Sequence, residues 1–473
     1  MKNNLGKLQI FSITNEDAIK KNRMDVEYYQ PFFKDVVVKV AGSKFELQKL
    51  EDVTILISNG RTPSKDLYDE DNDQVGSVPI IKAGTASGRF VDLERLEYAK
   101  ADFTTGKQAQ KGDIFVLSAA HQASYVGKNV SILDVEPPQN TVFVGELICV
   151  RANPEKVLSE YLFAFLSSKV GYLLLNREKR GQTSHIYPED VKTIPLPIPS
   201  LKDQQKIVAI LGKAYEEKKQ KEAEIKTILA KIDSFVLGEL GIKIERERER
   251  VAFVVSSDEI EGRIDPFFYK PYFKTLQRAI ESKNYSELGE LVEFAKETWD
   301  QKSVFDNQFP YIEISNIDTS NGEIAKTDFV PVAEAPSRAK MIVREGDIIV
   351  STTRPNRGAI TPISKEQDGF IASTGFAILR DLKDSKVLKD YLFVALRTSL
   401  SLRQMEQRTT GGNYPAITTE DLRKIKIVVP EIKTQEKIVS GVKTIYNKAR
   451  NLRQEAETVI AEAQKQTAEM IFA

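Results

Sequence analysis

The sequence predicts an α+β protein in which two β-rich domains are separated by two long antiparallel coiled-coil helices, arranged as a pseudo-twofold internal repeat. Three observations predict this fold class. The 473 residues contain one series of motifs twice, each copy opens with strand-type segments, and each copy ends in a long run of apolar residues at heptad spacing. Because one hydrophobic core usually stops growing at about 250–300 residues, more than one domain is expected.

The repeat is collinear over five motifs. In chain order, residues 23–34 return as 263–274, 111–116 as 345–350, 161–163 as 391–393, 189–192 as 420–423, and 202–208 as 433–439. One such match could arise by chance. Five matches in the same order indicate a duplicated unit, which is the first feature to establish in any reading of a fold.

Each half is predicted to begin with β-strands. Segments rich in β-branched and aromatic residues occur at 113–117, 142–144, 347–350 and 375–379, and Gly, Pro, Asn and Asp separate them. The residues around Tyr161 and Tyr391 instead predict short apolar helices. Proline-bearing segments at 195–199 and 428–430 then lead into the long helices, since proline cannot continue a helix but is tolerated just before one.

Apolar residues spaced alternately three and four apart predict a coiled-coil seam in each long helix. The predicted seam comprises Ile207, Leu211, Ile225, Ile228 and Ile232 in the first helix, and Ile438, Val442, Ile445, Leu452 and Val459 in the second. An offset of 231 residues maps positions 207, 211 and 228 onto 438, 442 and 459, so the register is the same in both halves. At about 1.5 Å per residue, the first helix is expected to span roughly 55 Å.

These signals predict five segments. A first β-rich domain covers residues 1–200, a long helix covers 201–241, and a linker with the start of the second repeat covers 242–262. A second β-rich domain covers 263–430, and a second long helix covers 431–473. Gly241 is expected to end the first helix, as a glycine often does.

Composition restricts the class of protein. No run of about 18 apolar residues is present, so no membrane partner is expected. Cys149 is the single cysteine and the N-terminus lacks a signal-peptide pattern, so a cytoplasmic location is predicted. His121 and His185 are the only histidines and stand apart, and no phosphate-binding or methyl-donor motif is present. We therefore expect no metal, no cofactor and no catalytic residues.

The sequence Pro-Leu-Pro-Ile-Pro-Ser-Leu-Lys-Asp-Gln-Gln-Lys-Ile-Val at 195–208, its echo at 429–439, and the paired Arg-x-Asp-x-x-x-Tyr-x-Pro openings are the most specific motifs. On these motifs, and over nearly its whole length, the chain resembles the specificity subunit of type I restriction-modification systems. The resemblance implies that the β-rich domains are target-recognition domains, each reading one part of a split double-stranded DNA site. It also implies two methyltransferase subunits carried by the helices, with restriction (translocase-nuclease) subunits joining for cleavage.

The resemblance directs the search for DNA contacts to polar loops at corresponding places in the two halves. Such loops offer Arg and Lys for guanine, Asn and Gln for adenine, and hydroxyl and basic groups for phosphates. The candidates in the first half are Lys82, Thr85, His121, Gln122, Arg180, Gln182, Thr183, Ser184, His185 and Tyr187. Those in the second half are Asn316, Thr352, Arg354, Asn356, Arg357, Arg408, Thr410, Asn413 and Tyr414.

Other interpretations stay open at this point. The 68 basic and 68 acidic residues give a formal net charge of zero, whereas a nucleic-acid binder is often basic. The candidate loops are also what solvated surface loops would look like, and their divergence between the halves is also what neutral drift would produce. A coiled-coil adaptor with two protein-binding β-rich domains, a self-contained nuclease or methyltransferase, and a specificity protein of a related phage-defence system are the alternatives.

Overall fold

Two units with matching topology make up the fold. The computed structural model describes residues 11–14, 16, 19, 23–69, 76–100, 107–120, 125–181, 184–244, 252–256, 260, 262–301 and 304–472. Unit 1 comprises residues 1–219 and 456–473, and unit 2 comprises residues 220–455. Each unit therefore contains a β-rich part and a segment from each long helix.

The elements of unit 1 follow the predicted order of strands, short helices and a long helix. They are α1 Pro31–Ala41, β1 Leu47–Lys49, α2 Leu50–Val53, β2 Thr54–Asn59, β3 Ser77–Ile81, β4 Glu97–Lys100, β5 Ile114–Leu117, β6 Val130–Ile132, β7 Val142–Phe143, β8 Leu147–Ala152, α3 Ser159–Leu166, α4 Lys169–Arg177, α5 Pro188–Lys192, β9 Pro195–Pro197 and the first part of α6 Leu201–Leu229. A turn at Ala230 separates α6 from α7 Lys231–Glu239, which lies in unit 2.

The strands of unit 1 form a four-stranded antiparallel sheet in the order β2-β8-β5-β6, a three-stranded sheet in the order β4-β3-β7, and the pair β1-β9. In the three-stranded sheet, β3 pairs parallel to β7. One face of the four-stranded sheet packs against α3, where Tyr161 is fully buried and donates a hydrogen bond to the Pro197 carbonyl at 2.8 Å. This bond ties α3 to the segment that leads into α6.

Unit 2 repeats this plan with additions. Its elements are α8 Pro271–Glu281, β10 Tyr285–Glu287, α9 Leu288–Leu291, β11 Val292–Ala295, β12 Gln308–Ile312, β13 Ile317–Asp318, β14 Glu323–Ile324, β15 Asp328–Pro331, β16 Ala339–Ile342, β17 Ile348–Ser351, β18 Ile360–Pro362, β19 Ile371–Ser373, β20 Phe376–Leu382, α10 Lys389–Leu396, α11 Ser399–Gln407, α12 Thr419–Arg423, β21 Lys426–Val428 and α13 Ile432–Phe472, whose C-terminal part belongs to unit 1.

The sheets of unit 2 correspond to those of unit 1 one by one. The order β11-β20-β17-β18 matches β2-β8-β5-β6, and β10-β21 matches β1-β9. The sheet β15-β12-β19-β16 has one strand more than its counterpart, and β13-β14 form an additional pair. Tyr391 is buried and donates to the Val428 carbonyl at 2.6 Å, as Tyr161 does in unit 1. The predicted α+β class and internal repeat are confirmed.

The long helices pack against each other within each unit. In unit 2, ion pairs join Lys221 to Glu455 at 2.8 Å and Lys437 to Glu239 at 2.7 Å. The earlier residue of the first helix, Lys221, contacts the later residue of the second, Glu455, whereas the later Glu239 contacts the earlier Lys437. The two helix segments therefore run antiparallel. Among the predicted seam residues, Ile207, Leu211, Ile225, Ile438, Val442 and Leu452 are buried, and Ile228, Ile232, Ile445 and Val459 are partly buried.

Sequence patterns missed the short strands β9 and β21, which contain or precede prolines. Pro195 and Pro197 lie in β9, which among the described strands pairs with β1 alone, so their missing N–H groups cost no central ladder bond. Within the described residues, none of the helices has the length and apolarity needed to cross a bilayer.

Candidate nucleic-acid interface

Two polar loops of unit 1 lie side by side. One follows β5 and the other joins α4 to α5. The backbone N–H of Ile186 donates to the Ser118 carbonyl at 2.9 Å, and Ala119 forms a bridge with His185. Arg180 and His185 exchange backbone hydrogen bonds of 2.8 and 3.0 Å, which closes the second loop. The candidates His121, Gln122, Gln182 and Thr183 lie outside the described residues.

The corresponding loops of unit 2, after β17 and between α11 and α12, meet in the same way. The Ile417 N–H donates to the Thr352 carbonyl at 2.8 Å, and Thr353 forms a bridge with Ala416. Thr410 and Ala416 exchange backbone hydrogen bonds of 2.8 and 2.9 Å. Each unit thus joins two loops, which are far apart in the chain, into one surface that we call the loop pair.

Arg354 is at the centre of the loop pair of unit 2. Its backbone is left-handed, with φ of 47°, and is held by a 2.7 Å bond from its N–H to the Pro415 carbonyl. The guanidinium donates to the Asn413 carbonyl at 2.8 Å and lies 4.7 Å from the centre of the Tyr414 ring. Since arginine carries five N–H donors, this arrangement orients the group while leaving donors for a ligand.

Exposed polar side chains surround Arg354. Tyr414 is 73% exposed, and Asn356, Arg357 and Asn413 are also exposed. Asn356 makes a side-chain hydrogen bond with Glu406 at 3.3 Å. Guanidinium, amide and aromatic groups together on one exposed surface match the donors, acceptors and stacking faces that proteins use to contact bases and phosphates.

The loop pair of unit 1 presents a different set of groups. Arg180 forms an ion pair with Asp190, and its guanidinium lies 5.6 Å from the Tyr187 ring. Tyr187 is 46% exposed and stacks on His185 with ring centres 6.4 Å apart. Ser184 is partly buried. The backbone scheme is shared with unit 2, but the side chains on it are not.

Several other candidates are committed to internal contacts. Thr85 and Asn316 are 4% and 5% exposed, and each accepts a backbone N–H in the turn after its strand. The Arg408 side chain is 14% exposed, lies 3.8 Å from Asp421, and stacks over Phe268 at 5.5 Å. Such side chains hold the loops in place, so any DNA contact rests on the exposed members.

Three candidates remain: Lys82, Thr352 and Thr410. Lys82 is paired with Glu97 at 3.0 Å, and this carboxylate raises the pKa of the lysine. The Thr352 hydroxyl donates to the Gly375 carbonyl at 2.9 Å. Thr410 is exposed, although its backbone is part of the bridge to Ala416.

Two residues that support the loops were missed by sequence reasoning. Arg397 donates to the carbonyls of Gly358 and Ile360 at 2.9 and 3.2 Å, which fixes the end of the Arg354 loop. In unit 1, the Asn59 amide donates to the Gly145 carbonyl at 2.8 Å and lies 3.4 Å from the Ser118 hydroxyl. The repeat offered no signal for Arg397, because an offset of 230 residues places Ser167 at the same position.

Among the residues that the structure describes, no group of three or more His, Cys, Asp or Glu side chains could hold a metal ion. Asp190, in the repeated motif at 189–192, forms an ion pair with Arg180.

The repeated scaffold with a loop pair in each copy defines a class: a duplicated α+β protein that displays two different polar surfaces on one framework. The chain belongs to the family described as type I restriction modification DNA specificity domain, whose model matches residues 42–227 and 280–460. The resemblance expected from the sequence is confirmed. Family membership assigns the chain to DNA target recognition in a restriction-modification system.

Relatives of known name agree with this assignment. The putative type I restriction enzyme MjaX specificity subunit of Methanocaldococcus jannaschii is 24% identical over 452 residues, covering 91% of this chain and 94% of the relative. The type I restriction enzyme HindI specificity subunit of Haemophilus influenzae is 25% identical over 169 residues, covering 35% of this chain and 36% of the relative. The chain therefore spans about a third of one relative and nearly all of the other.

Solved structures show similarity over most of the chain. A chain of a structure described as the crystal structure of a type I restriction-modification system S subunit from M. genitalium has 13% identity and a TM-score of 0.41, covering 91% of this chain and 96% of its own. A chain from a structure of type I R-M complex assembly and conformational transition has 15% identity and a TM-score of 0.45, covering 90% and 96%.

Proposed function

We propose that the chain recognises a bipartite DNA target, with the loop pair of unit 1 reading one half-site and the loop pair of unit 2 reading the other. The observation that carries this proposal is the contrast within one repeat. The backbone that holds the loops is the same in both units, whereas the exposed side chains differ. A shared loop backbone that carries different exposed side chains suits two domains that recognise two different DNA sequences.

The DNA contacts are proposed for the exposed members of the loop pairs. In unit 2 these are the exposed residues Asn356, Arg357, Asn413 and Tyr414. The partly buried Arg354 joins them, because its guanidinium lies against the exposed Tyr414 ring. In unit 1 Arg180 and Tyr187 are the exposed candidates among the described residues, and His185 stacks on Tyr187. Contacts by arginine and amide groups would specify bases, and hydroxyl groups would position the phosphates.

The chain is proposed to act without catalysis of its own. Its antiparallel helix segments, with predicted boundaries at 201–241 and 431–473, offer a rigid scaffold for two methyltransferase subunits, and restriction subunits would join that assembly. The relatives' names describe specificity subunits of restriction enzymes, which supports such partners and a cytoplasmic location for this chain.

The proposal is tested by selecting binding sites from random-sequence double-stranded DNA, using the full chain with and without methyltransferase subunits. The expected result is an enriched motif with two specified blocks and an unspecified middle. Binding should weaken steeply as salt rises, because phosphate contacts release counterions. A single continuous motif would overturn the two-reader assignment. Absence of any enriched sequence would favour the adaptor alternative.

A further inference from the structure

A cavity of about 200 Å³ lies within unit 1, apart from its loop pair. Its lining includes Lys39 of α1, Arg89, the first turn of α4 and Tyr215 of α6. The C-terminal part of α13 contributes Gln464, Thr467, Ala468, Ile471 and Phe472. The candidate DNA-contact residues do not line it. Its chemistry is therefore not explained by DNA recognition.

The described residues that line the cavity are basic, hydroxyl-bearing, amide or apolar, and none is acidic. Lys39, Arg89 and Lys169 are the basic members. Phe165, Ile207, Leu211, Ile471 and Phe472 form much of the apolar wall. A lining with three cations and a hydrocarbon wall suits an anionic group attached to an apolar body.

Arg89 is the most buried of the three basic groups. Its Nε atom is shielded from solvent and has no hydrogen-bond partner among the described residues. The guanidinium carbon lies 3.5 Å from the centre of the Tyr215 ring and 4.8 Å from that of Phe163. Burial lowers the pKa of Arg89, although Tyr215 and Asp134 raise it in part. Tyr215 hydrogen-bonds the guanidinium, so the Nε–H alone has no acceptor among the described residues. A donor that is shielded from water favours an acceptor placed beside it.

Unit 2 supplies the missing kind of group at the matching position. There, the backbone N–H at the start of α11, that of Ser399, donates to an Asp233 carboxylate oxygen at 2.7 Å. The helix offset of 231 residues places Gln464 of unit 1 where unit 2 has Asp233, and an offset of 230 places Lys169 where unit 2 has Ser399. Unit 2 therefore provides its own carboxylate, whereas unit 1 has an amide and an open cavity.

The start of α4 is prepared for the same interaction. First-turn N–H groups have no partner inside their helix, and the positive end of the helix dipole favours an anion. Within the described part of the chain, the Lys169 N–H has no acceptor, whereas the Ser168 hydroxyl accepts the Gly171 N–H at 3.0 Å. An anion placed as Asp233 is placed in unit 2 would meet this N–H.

We propose that this cavity of unit 1 binds a small carboxylate with an aromatic or branched aliphatic body. The carboxylate takes the position that Asp233 takes in unit 2 and accepts hydrogen bonds from Arg89 and the start of α4. The hydrocarbon body contacts the wall formed by Phe165, Ile207 and Ile471. Lys39 and Lys169 are exposed and attract the anion at the edge of the cavity.

The test uses the purified full chain without DNA. Binding of benzoate is measured by isothermal titration calorimetry. Benzamide, which has a similar shape but no charge, is the matched control ligand. Saturable binding of benzoate is expected, with benzamide binding about tenfold or more weakly, since charge-assisted hydrogen bonds are the stronger ones. Arg89→Met keeps an apolar stem but removes the cation, and it should weaken benzoate by about tenfold or more.

A second variant keeps the proposal testable if Arg89→Met fails to fold. Gln464 is exposed, and Gln464→Asp gives unit 1 the carboxylate that unit 2 has. This variant is expected to lose benzoate binding, whereas the matched control Gln464→Asn should retain it. Absence of saturable benzoate binding by the wild-type chain, equal affinity for benzoate and benzamide, or undiminished binding by Gln464→Asp would each overturn the proposal.

Discussion

Gln204 in unit 1 and Gln435 in unit 2 are fully buried and make the same three hydrogen bonds. Gln204 accepts the Leu158 N–H at 2.8 Å and donates to the carbonyls of Lys156 and Pro199. Gln435 accepts the Leu388 N–H at 2.9 Å and donates to those of Lys386 and Pro430. Each glutamine thus ties the long helix to the β-rich part of its unit.

The exposed loop pairs of the two units differ, whereas the buried glutamine contacts are the same. The loop pair of unit 2 centres on Arg354 over Tyr414, whereas that of unit 1 centres on His185 over Tyr187. Unit 2 also has the additional strands β13, β14 and β16 around its second sheet. The comparison shows that buried polar contacts preserve the framework, since an unsatisfied buried group is costly, while exposed loops can change at little cost in stability.

Replacing a buried aspartate is expected to give the largest loss of folding stability, and the loss should differ between the two units. Asp113 is fully buried and its carboxylate accepts from Arg151 at 2.6 Å, while Asp347 accepts from Arg380 at 3.0 Å. Removing one partner of a buried pair costs about 3–5 kcal/mol. Asp113→Ala should therefore destabilise unit 1 by about 3 kcal/mol. Asp347→Ala should cost about 1 kcal/mol less, because Arg380 keeps its 2.8 Å ion pair with Glu297.

The chain carries its own reporter in each unit for this measurement. Cys149, the single cysteine, is buried in unit 1, and Trp299, the single tryptophan, is buried in unit 2. Thiol labelling in urea follows unit 1, and tryptophan fluorescence follows unit 2. Glu155→Ala and Glu345→Ala, at exposed positions, are the matched controls. Equal losses for the two aspartate variants would contradict the compensating role of Glu297.

Arg354 and Arg408 should separate recognition from support within unit 2. Arg354→Ala is expected to weaken binding to the second half-site by about 1–3 kcal/mol, which is roughly fivefold to 150-fold, with little change in stability. Arg408→Ala should instead lower the unfolding midpoint reported by Trp299, because its side chain is 14% exposed and lies against Asp421 and Phe268.

The measurement is a gel-shift titration on the selected target, with each half-site scrambled in turn. The first half-site serves as the control within the same molecule, since its affinity should not respond to either substitution. An Arg354→Ala chain that binds the second half-site as the wild type does would remove this residue from the interface.

The sequence predicted the duplication, the α+β class and the helix register, because these depend on local patterns and on motifs that occur twice. It did not predict that the loops at 351–358 and 408–416 meet, since their contact joins residues more than fifty positions apart. The side-chain contacts were equally hidden. Arg354 and Arg408 are both partly buried arginines in similar loops, and only the structure shows that Arg354 lies against Tyr414 whereas Arg408 lies against Asp421. The strand β9 was missed because its partner β1 lies far away in the chain.

Replacing Glu297 is expected to give the smallest loss of folding stability. Its ion pair with Arg380 has no counterpart among the described residues of unit 1. Hydrogen bonds from Arg344 and Arg380 lower the pKa of Glu297, while its partial burial opposes them. A carboxyl group with a lowered folded-state pKa stabilises the fold above its unfolded pKa of about 4.3, and this contribution is lost as the pH falls through the folded value. The contribution at neutral pH should be about 1 kcal/mol or less, because the side chain is 33% exposed.

Glu297→Gln should therefore lower the Trp299-reported stability of unit 2 at pH 7, and the difference from the wild type should shrink on acidification below about pH 4. Glu345→Gln, at an exposed position of the same unit, is the control. A difference in stability that grows towards acid pH would show that Glu297 does not stabilise unit 2 through its ion pairs. Glu297 could then not compensate Arg380 when Asp347 is removed, and the predicted difference between Asp113→Ala and Asp347→Ala would lose its basis.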